Sequence, residues 1–306
     1  MRRAFYRPWM PPASLDFSKP PLVTLLAGPT ASGKSALALK IAHETGAVII
    51  NADSQQLYAD LRILTARPSV QDESVADHRL YGVADAADAW SVGRWSRAAL
   101  DELDQPHGRP AVIVGGTGLY FAALTKGLAD IPVVPAEVRE AMTARYEAEG
   151  EQSFRAALAR HDPQAATRVE AGDRQRLIRA MSVLEVSGRS LSHWQSKTRP
   201  LLRPDSWTGL VIEPDRAALY AQCDRRTELM MAEGALAEVE ALMARGLDPA
   251  LPAMKAVGVR ELAAYLIGAT DRNAAVEALK QATRNYAKRQ LTWFRNQTPG
   301  WARADV

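Results

Sequence analysis

The stretch GPTASGKS, Gly28 to Ser35, limits what this chain can fold into more than any other segment. Two glycines separated by four residues and followed by Lys-Ser make a phosphate-binding loop when a strand precedes them and a helix follows. Both flanks are present: LVTLLA (22–27) reads as a buried strand and ALALKIA (36–42) as the opening turns of a helix. The glycines let the backbone fold tightly enough for successive N–H groups to converge on an anion, and the positive end of the helix dipole adds to them. The segment Gly28, Pro29, Thr30, Ala31, Ser32, Gly33, Lys34 and Ser35 is therefore read as a cradle for a phosphate chain. Lys34 neutralises the terminal phosphate, and the Ser35 hydroxyl holds a magnesium ion, Mg2+.

The rest of the chain extends that local unit into an α/β fold. Short apolar runs, AVIINA (47–52), PAVIVGG (110–116) and WTGLVIEP (207–214), alternate with helical spacing, the pattern of a parallel sheet covered by helices. With the loop at its head this is a P-loop NTPase-like parallel sheet flanked by helices, carrying a mostly helical insertion domain. The expected boundaries are a basic, proline-rich tail at 1–20, a core of 21–130 and 204–306, and an insertion at 131–203 opened by the proline cluster ADIPVVPAEV. From Asp215 onward the core reads as helical. The tail has three arginines and four prolines but no continuous apolar segment, which argues against a secretory signal. No run reaches the roughly eighteen apolar residues of a membrane span. The single cysteine, Cys223, excludes an internal disulfide and a cysteine-based zinc site and suits a reducing cytoplasm. A formal charge of +3 permits a nucleic-acid partner without demonstrating one.

Phosphate loops serve kinases, ATPases, GTPases and a few transferases, so the neighbours decide. An ATPase usually carries a magnesium-holding acid after a second strand. Here that strand, PAVIVGGTGLY, ends in glycines and Thr117, and the acid appears instead after AVIINA, as Asp53. Ligands gather at the carboxyl ends of parallel strands, so Lys34, Asp53 and Thr117 should face one crevice. Asp53 is either a base taking a proton from a nucleophile or the N-cap of a following helix. Thr117 is either a ligand contact or a helix cap. Near the end, KQATRNYAKRQLTWFR (280–295) has five basic residues and no acid. As a helix it puts Lys280, Arg284, Lys288 and Arg295 on one stripe and Leu279, Tyr286 and Trp293 on another. The stripe is a solvated surface or a polyanion ridge. In the insertion, Arg174, Arg176 and Arg179 suit a kinase lid or a grip on a nucleic-acid backbone.

Taken in order, GPTASGKS, ADSQQLY, TARPS, VGGTGLY, DRQRLIRA and TRNYAKRQLTWFR resemble the tRNA dimethylallyltransferases, isopentenyl transferases that modify the adenosine 3′ of the anticodon in tRNAs reading codons that begin with U. The resemblance spans about residues 22 to 297. It implies that the loop holds the diphosphate of dimethylallyl diphosphate as a leaving group, that Asp53 is the base, that Thr117 bonds the bridging oxygen, and that Arg226 joins Lys34 on the diphosphate. It further implies tRNA contacts, to the anticodon stem-loop, at Asp53, Ser54, Gln55, Gln56, Thr117, Arg139, Gln175, Arg176, Arg179, Lys255, Arg260, Arg284 and Lys288. Departures from the family pattern are Val259 for a tyrosine, Gln222 for an arginine, Leu64 for a glycine and Arg67 for a lysine. With one cysteine the chain resembles the bacterial form, cytoplasmic and active as a monomer, rather than longer members with a zinc finger. The competing reading is a P-loop small-molecule kinase.

Overall fold

The computed structural model describes residues 23–104 and 108–305; the basic tail lies outside the described residues. The chain divides into two compact units, one formed by the residues up to Ala123 and from Leu202 on, the other by Leu124–Leu201.

The first unit opens with strand β1 (Val23–Ala27), helix α1 (Lys34–Thr45) and strand β2 (Val48–Asn51). Helix α2 (Val70–Val75), strand β3 (His78–Arg79), helix α3 (Val92–Leu103), strand β4 (Ala111–Gly115) and helix α4 (Gly118–Lys126) come next. The sheet order is β3-β2-β4-β1, continued by β5 (Trp207–Ile212) and β6 (Ala302–Ala304), and every pairing is parallel. All five residues of β1 and of β4 are buried, as continuous apolar strands must be when helices cover both faces of a sheet.

Two strands depart from the sequence reading. β3 has only two residues, too few to show a period. β6 contradicts the all-helical final third: ARA pairs beside β5 after the turn at Pro299–Gly300. Its cue is tertiary, because Trp301 packs where a Cβ on Gly209 of β5 would collide with its ring.

The second unit contains the α5 stretch (Ala136–Ala159), broken at Gly150 with φ 75°, then α6 (Pro163–Arg168), α7 (Arg174–Ser187) and α8 (Leu191–Gln195). Phe154, Leu158, Leu177 and Met181 form its core. Asp162 caps α6 by accepting the Ala165 N–H at 3.0 Å and ties α8 to it by accepting that of Ser192 at 3.0 Å. This unit is helical, as read from the sequence, but begins within α4 rather than at the proline cluster.

The first unit closes with α9 (Arg216–Glu233), α10 (Ala235–Ala244), a 3-10 turn at Ala253–Lys255, α11 (Val259–Leu266) and α12 (Arg272–Gln297). No helix among the described residues is long and apolar enough to cross a membrane.

Candidate active site

The loop between β1 and α1 is built to leave donors free. Gly33, with φ 83°, precedes α1 without any side-chain cap, so the first N–H groups of the helix keep their capacity for a ligand. The Ser32 hydroxyl is buried and has no hydrogen-bond partner among the described residues. Lys34 Nζ is buried and, among the described residues, donates only to the Pro29 carbonyl, at 3.1 Å. Burial pulls its ammonium down to about 8; the Asp53 carboxylate opposes that fall and the Arg226 charge adds to it.

Arg226 reaches the same place from α9. One of its amino groups donates to the Thr65 carbonyl at 3.1 Å, while its Nε is buried without a partner among the described residues. The Thr65 loop is itself anchored by Glu238 of α10. That carboxylate accepts the backbone N–H groups of Arg62, Ile63 and Leu64 at 2.8, 2.7 and 2.9 Å. A cavity of about 490 Å³ lies over the loop, with Ser32, Lys34, Tyr81 and Arg226 in its wall.

Asp53 lies just past β2, only 7% exposed. Asn51, fully buried, holds its backbone from both sides: Oδ1 accepts the Asp53 N–H at 2.7 Å and Nδ2 donates to the Asp53 carbonyl at 3.0 Å. No helix begins there, so the capping reading of Asp53 falls; Oδ1 accepts the Gln55 N–H at 3.0 Å in a local turn. Thr117 is neither free nor a simple cap. Its Oγ1 accepts the Ser54 N–H at 2.9 Å and donates to Ser54 Oγ at 3.2 Å, stitching the end of β4 to the Asp53 turn. The glycines of GGTG permit this closeness, since a Cβ at Gly115 would strike the Ala52 backbone and one at Gly118 the Trp293 ring.

From α12, the Tyr286 phenol lies in hydrogen-bonding contact with Gln55 and Thr117, and burial, with Asp53 second, raises its ionisation. Asp53 thus acts electrostatically on Lys34, Arg226 and Tyr286 together. Lys34 and Arg226 share the wall of the cavity over the loop, Asp53 acts on both through its charge, and Thr117 reaches the Asp53 turn through Ser54. Asn51, Tyr286, Gln290 and Glu238 were not among the expected site residues. For Tyr286 and Gln290 the signal was available: two polar groups one turn apart on the apolar face of an otherwise charged helix.

The remaining expected contacts separate into groups. Gln56 donates its amide to the Thr65 and Ala66 carbonyls, and Gln55 Oε1 accepts the Val257 N–H at 3.1 Å. That bond hangs the segment carrying exposed Lys255 and Arg260 on the Asp53 turn. In the helical unit, Arg139, Gln175 and Arg179 line one cavity of about 440 Å³ with Arg174. Arg176 instead pairs with its own helix cap, Asp173, at 2.8 Å.

Three of the four cations on the basic stripe of α12 are engaged in ion pairs. Lys280 is held by Glu228 and Glu277, Arg284 by Asp224 and Arg295 by Glu213. Three of these acids lie outside α12, on α9 or just after β5, which is why a window free of acids looked unpaired. Among the described residues Lys288 alone of that stripe makes no ion pair, and it is exposed. No cluster of three or more His, Cys, Asp or Glu suited to a metal occurs among the described residues; the Ser35 residue is exposed in the first turn of α1.

A family model described as IPP transferase matches residues 56–297, and a second, isopentenyl transferase, matches residues 21–86. The chain belongs to the IPP transferase family. Its relatives include tRNA dimethylallyltransferases of Caulobacter sp. (strain K31), 57% identical with 93% of each chain covered, and of Phenylobacterium zucineum, 57% identical with 92% of each covered. Among solved structures, the tRNA isopentenylpyrophosphate transferase of Bacillus halodurans aligns with a TM-score of 0.64 at 30% identity, over 92% of this chain and 89% of that one. A eukaryotic dimethylallyltransferase acting on tRNA shares the fold, with a TM-score of 0.75 at 24% identity, over 89% of this chain and 69% of the other.

Proposed function

We infer that this family member transfers a dimethylallyl group from dimethylallyl diphosphate to N6 of the adenosine 3′ of the anticodon, in tRNAs reading codons that begin with U, and releases diphosphate. One observation carries the assignment of roles: Ser32 Oγ and Arg226 Nε are buried without a partner among the described residues, in one cavity wall with the buried Lys34 ammonium, and Lys34 and Arg226 both feel the Asp53 charge. Buried polar groups normally find partners, so this set calls for a multiply charged anion.

That arrangement suits an alkyl transfer. The N6 lone pair attacks the allylic carbon, the carbon–oxygen bond breaks with its electron pair going to the diphosphate, and Asp53 takes the amine proton. An exocyclic amine conjugated into adenine is a weak nucleophile, hence the base. Thr117 Oγ1 already accepts from Ser54, so its useful role toward the bridging oxygen is as a donor, its proton turned away from Ser54. Lys34 and Arg226 stabilise the charge that develops on the departing group.

A single exposed hydroxyl, that of Ser35, fits magnesium, which binds through few protein ligands together with substrate phosphates and water; Ser35 would hold it, and it would neutralise leaving-group charge. The tRNA reaches Asp53, Ser54, Gln55, Gln56 and Thr117 with its extruded adenine, which costs little from a single-stranded loop. Arg139, Gln175, Arg176, Arg179, Lys255, Arg260, Arg284 and Lys288 serve its backbone and bases. One chain holds both sites and acts as a monomer in the cytoplasm.

The test is an incubation of the protein with tRNA, magnesium and labelled dimethylallyl diphosphate, beside one with labelled ATP. Label on tRNA adenosine is the expected result. Phosphate transfer from ATP, with no prenylated tRNA, would assign the site to a kinase.

A further inference from the structure

Gln290 lies in α12, far along the chain from both catalytic loops, yet its side chain touches each. It is only 5% exposed. Its Oε1 accepts the Thr30 N–H of the anion loop at 2.8 Å, and its Nε2 donates to the Gly116 carbonyl at 3.0 Å, one residue before Thr117. A Cβ on Gly116 would collide with this same Nε2, so the second glycine of GGTG exists in part to admit the amide. Around it, Ala287, Leu291 and Phe294 are buried and apolar. A glutamine there costs desolvation that only the two hydrogen bonds offset.

We propose that Gln290 is a positioning residue that fixes the register between the diphosphate loop and the Thr117 loop. This rests on the transfer reaction inferred above. The leaving oxygen is held by the first loop, and the hydroxyl that stabilises it is carried by the second. Without a common brace each loop can keep its fold while the two drift relative to one another, and a shift near 1 Å between reacting groups costs on the order of 10²-fold in rate. Tyr286, one turn earlier on α12, braces Thr117 and Gln55. The helix therefore presents two polar supports, and Gln290 is the one that reaches the anion loop.

The amide suits the place because one side chain must accept and donate at once. A protonated carboxyl of the same length could do so; a carboxylate could only accept, and would repel the Gly116 carbonyl. The variants Gln290→Met and Gln290→Glu separate positioning from bulk packing. Steady-state prenylation of tRNA is measured for both across pH, with thermal melting and the affinity for inorganic pyrophosphate measured alongside. Gln290→Met should lose on the order of 10²-fold in kcat, with the KM for tRNA within about threefold of wild type. Gln290→Glu should lose kcat at neutral pH, and its ratio to wild type should rise as pH falls and the buried carboxyl, its ionisation pushed up by burial, regains its proton.

A Gln290→Met enzyme with near wild-type kcat would overturn the proposal. So would a pH-independent ratio for a folded Gln290→Glu enzyme. Should wild type prenylate no tRNA, the transferase reading fails instead, and the brace is judged by pyrophosphate alone. Affinity lower by about tenfold in Gln290→Met then sustains it, and unchanged affinity ends it.

Discussion

Asp53 illustrates how far a single residue can be read and where reading stops. Its place after an apolar strand marked it as a base or a cap, and the fold decides between the two by putting a turn held by Asn51, not a helix, directly after it. Asp53→Asn should lower turnover on the order of 10²–10⁴-fold while leaving tRNA affinity nearly unchanged, measured by kcat beside equilibrium tRNA binding. Asn51, fully buried and bonded also to the Leu80 carbonyl at 2.9 Å, could not be identified as its holder from sequence, because Leu80 and the Asp53 turn meet only in the folded chain. Lys34 was legible from the motif, but its ionisation near 8 was not, since burial beside Arg226 produces it. Lys34 is charged below about 8 and loses charge as pH rises through that value. The affinity for diphosphate should fall over the same range, and Lys34→Arg, if folded, should flatten the fall because a guanidinium stays protonated. Titration of pyrophosphate binding against pH reads both.

At the scale of elements, the strands β1, β2, β4 and β5 were recognisable because buried parallel strands are continuous apolar runs bounded by breakers. β3 and β6 were not, being two and three residues long and stabilised by neighbours rather than by pattern. Helix α12 was recognisable as a helix, but the pairing of its charges was not legible, because most of their partners come from other parts of the fold. Lys288→Ala should reduce the salt dependence of tRNA binding by about one unit. Arg284→Ala should change it less, since that guanidinium is already paired with Asp224 at 2.5 Å. Equal changes in slope for the two variants would show that the Asp224 pair opens when tRNA binds. Glu238 acts on an element as a whole: its carboxylate gathers three backbone N–H groups of the loop before Thr65. Glu238→Ala should cost about 1–3 kcal/mol of stability by leaving partly buried donors short of an acceptor, read from denaturant midpoints.

For the molecule as a whole, the anion-free protein carries an electrostatic penalty at its loop. The folded-state ionisation of Lys34 lies below its unfolded value of 10.5, so stability from this group is least where lysine is protonated in both states and rises as pH climbs from about 8 toward that value. A bound anion supplies the missing partner and should reverse the penalty. Saturating pyrophosphate, at about a hundredfold its dissociation constant, should stabilise the fold by about 2.7 kcal/mol. With ligand concentration held constant, the gain in melting temperature should be larger at about pH 7 than at about pH 9. Equal gains at the two pH values would remove Lys34 as the anion's main partner.

The sequence by itself determined the periodicities, the phosphate loop, the glycines that let backbones approach, and the family. These are local, carried by residues close together in the chain. Only the tertiary structure decided which acids pair with the α12 charges, that Asn51 holds the Asp53 turn and Glu238 the loop before Thr65, and that Gln290 spans two loops. The reason is physical: a hydrogen bond or ion pair depends on distance and burial, and neither is defined until distant segments have packed.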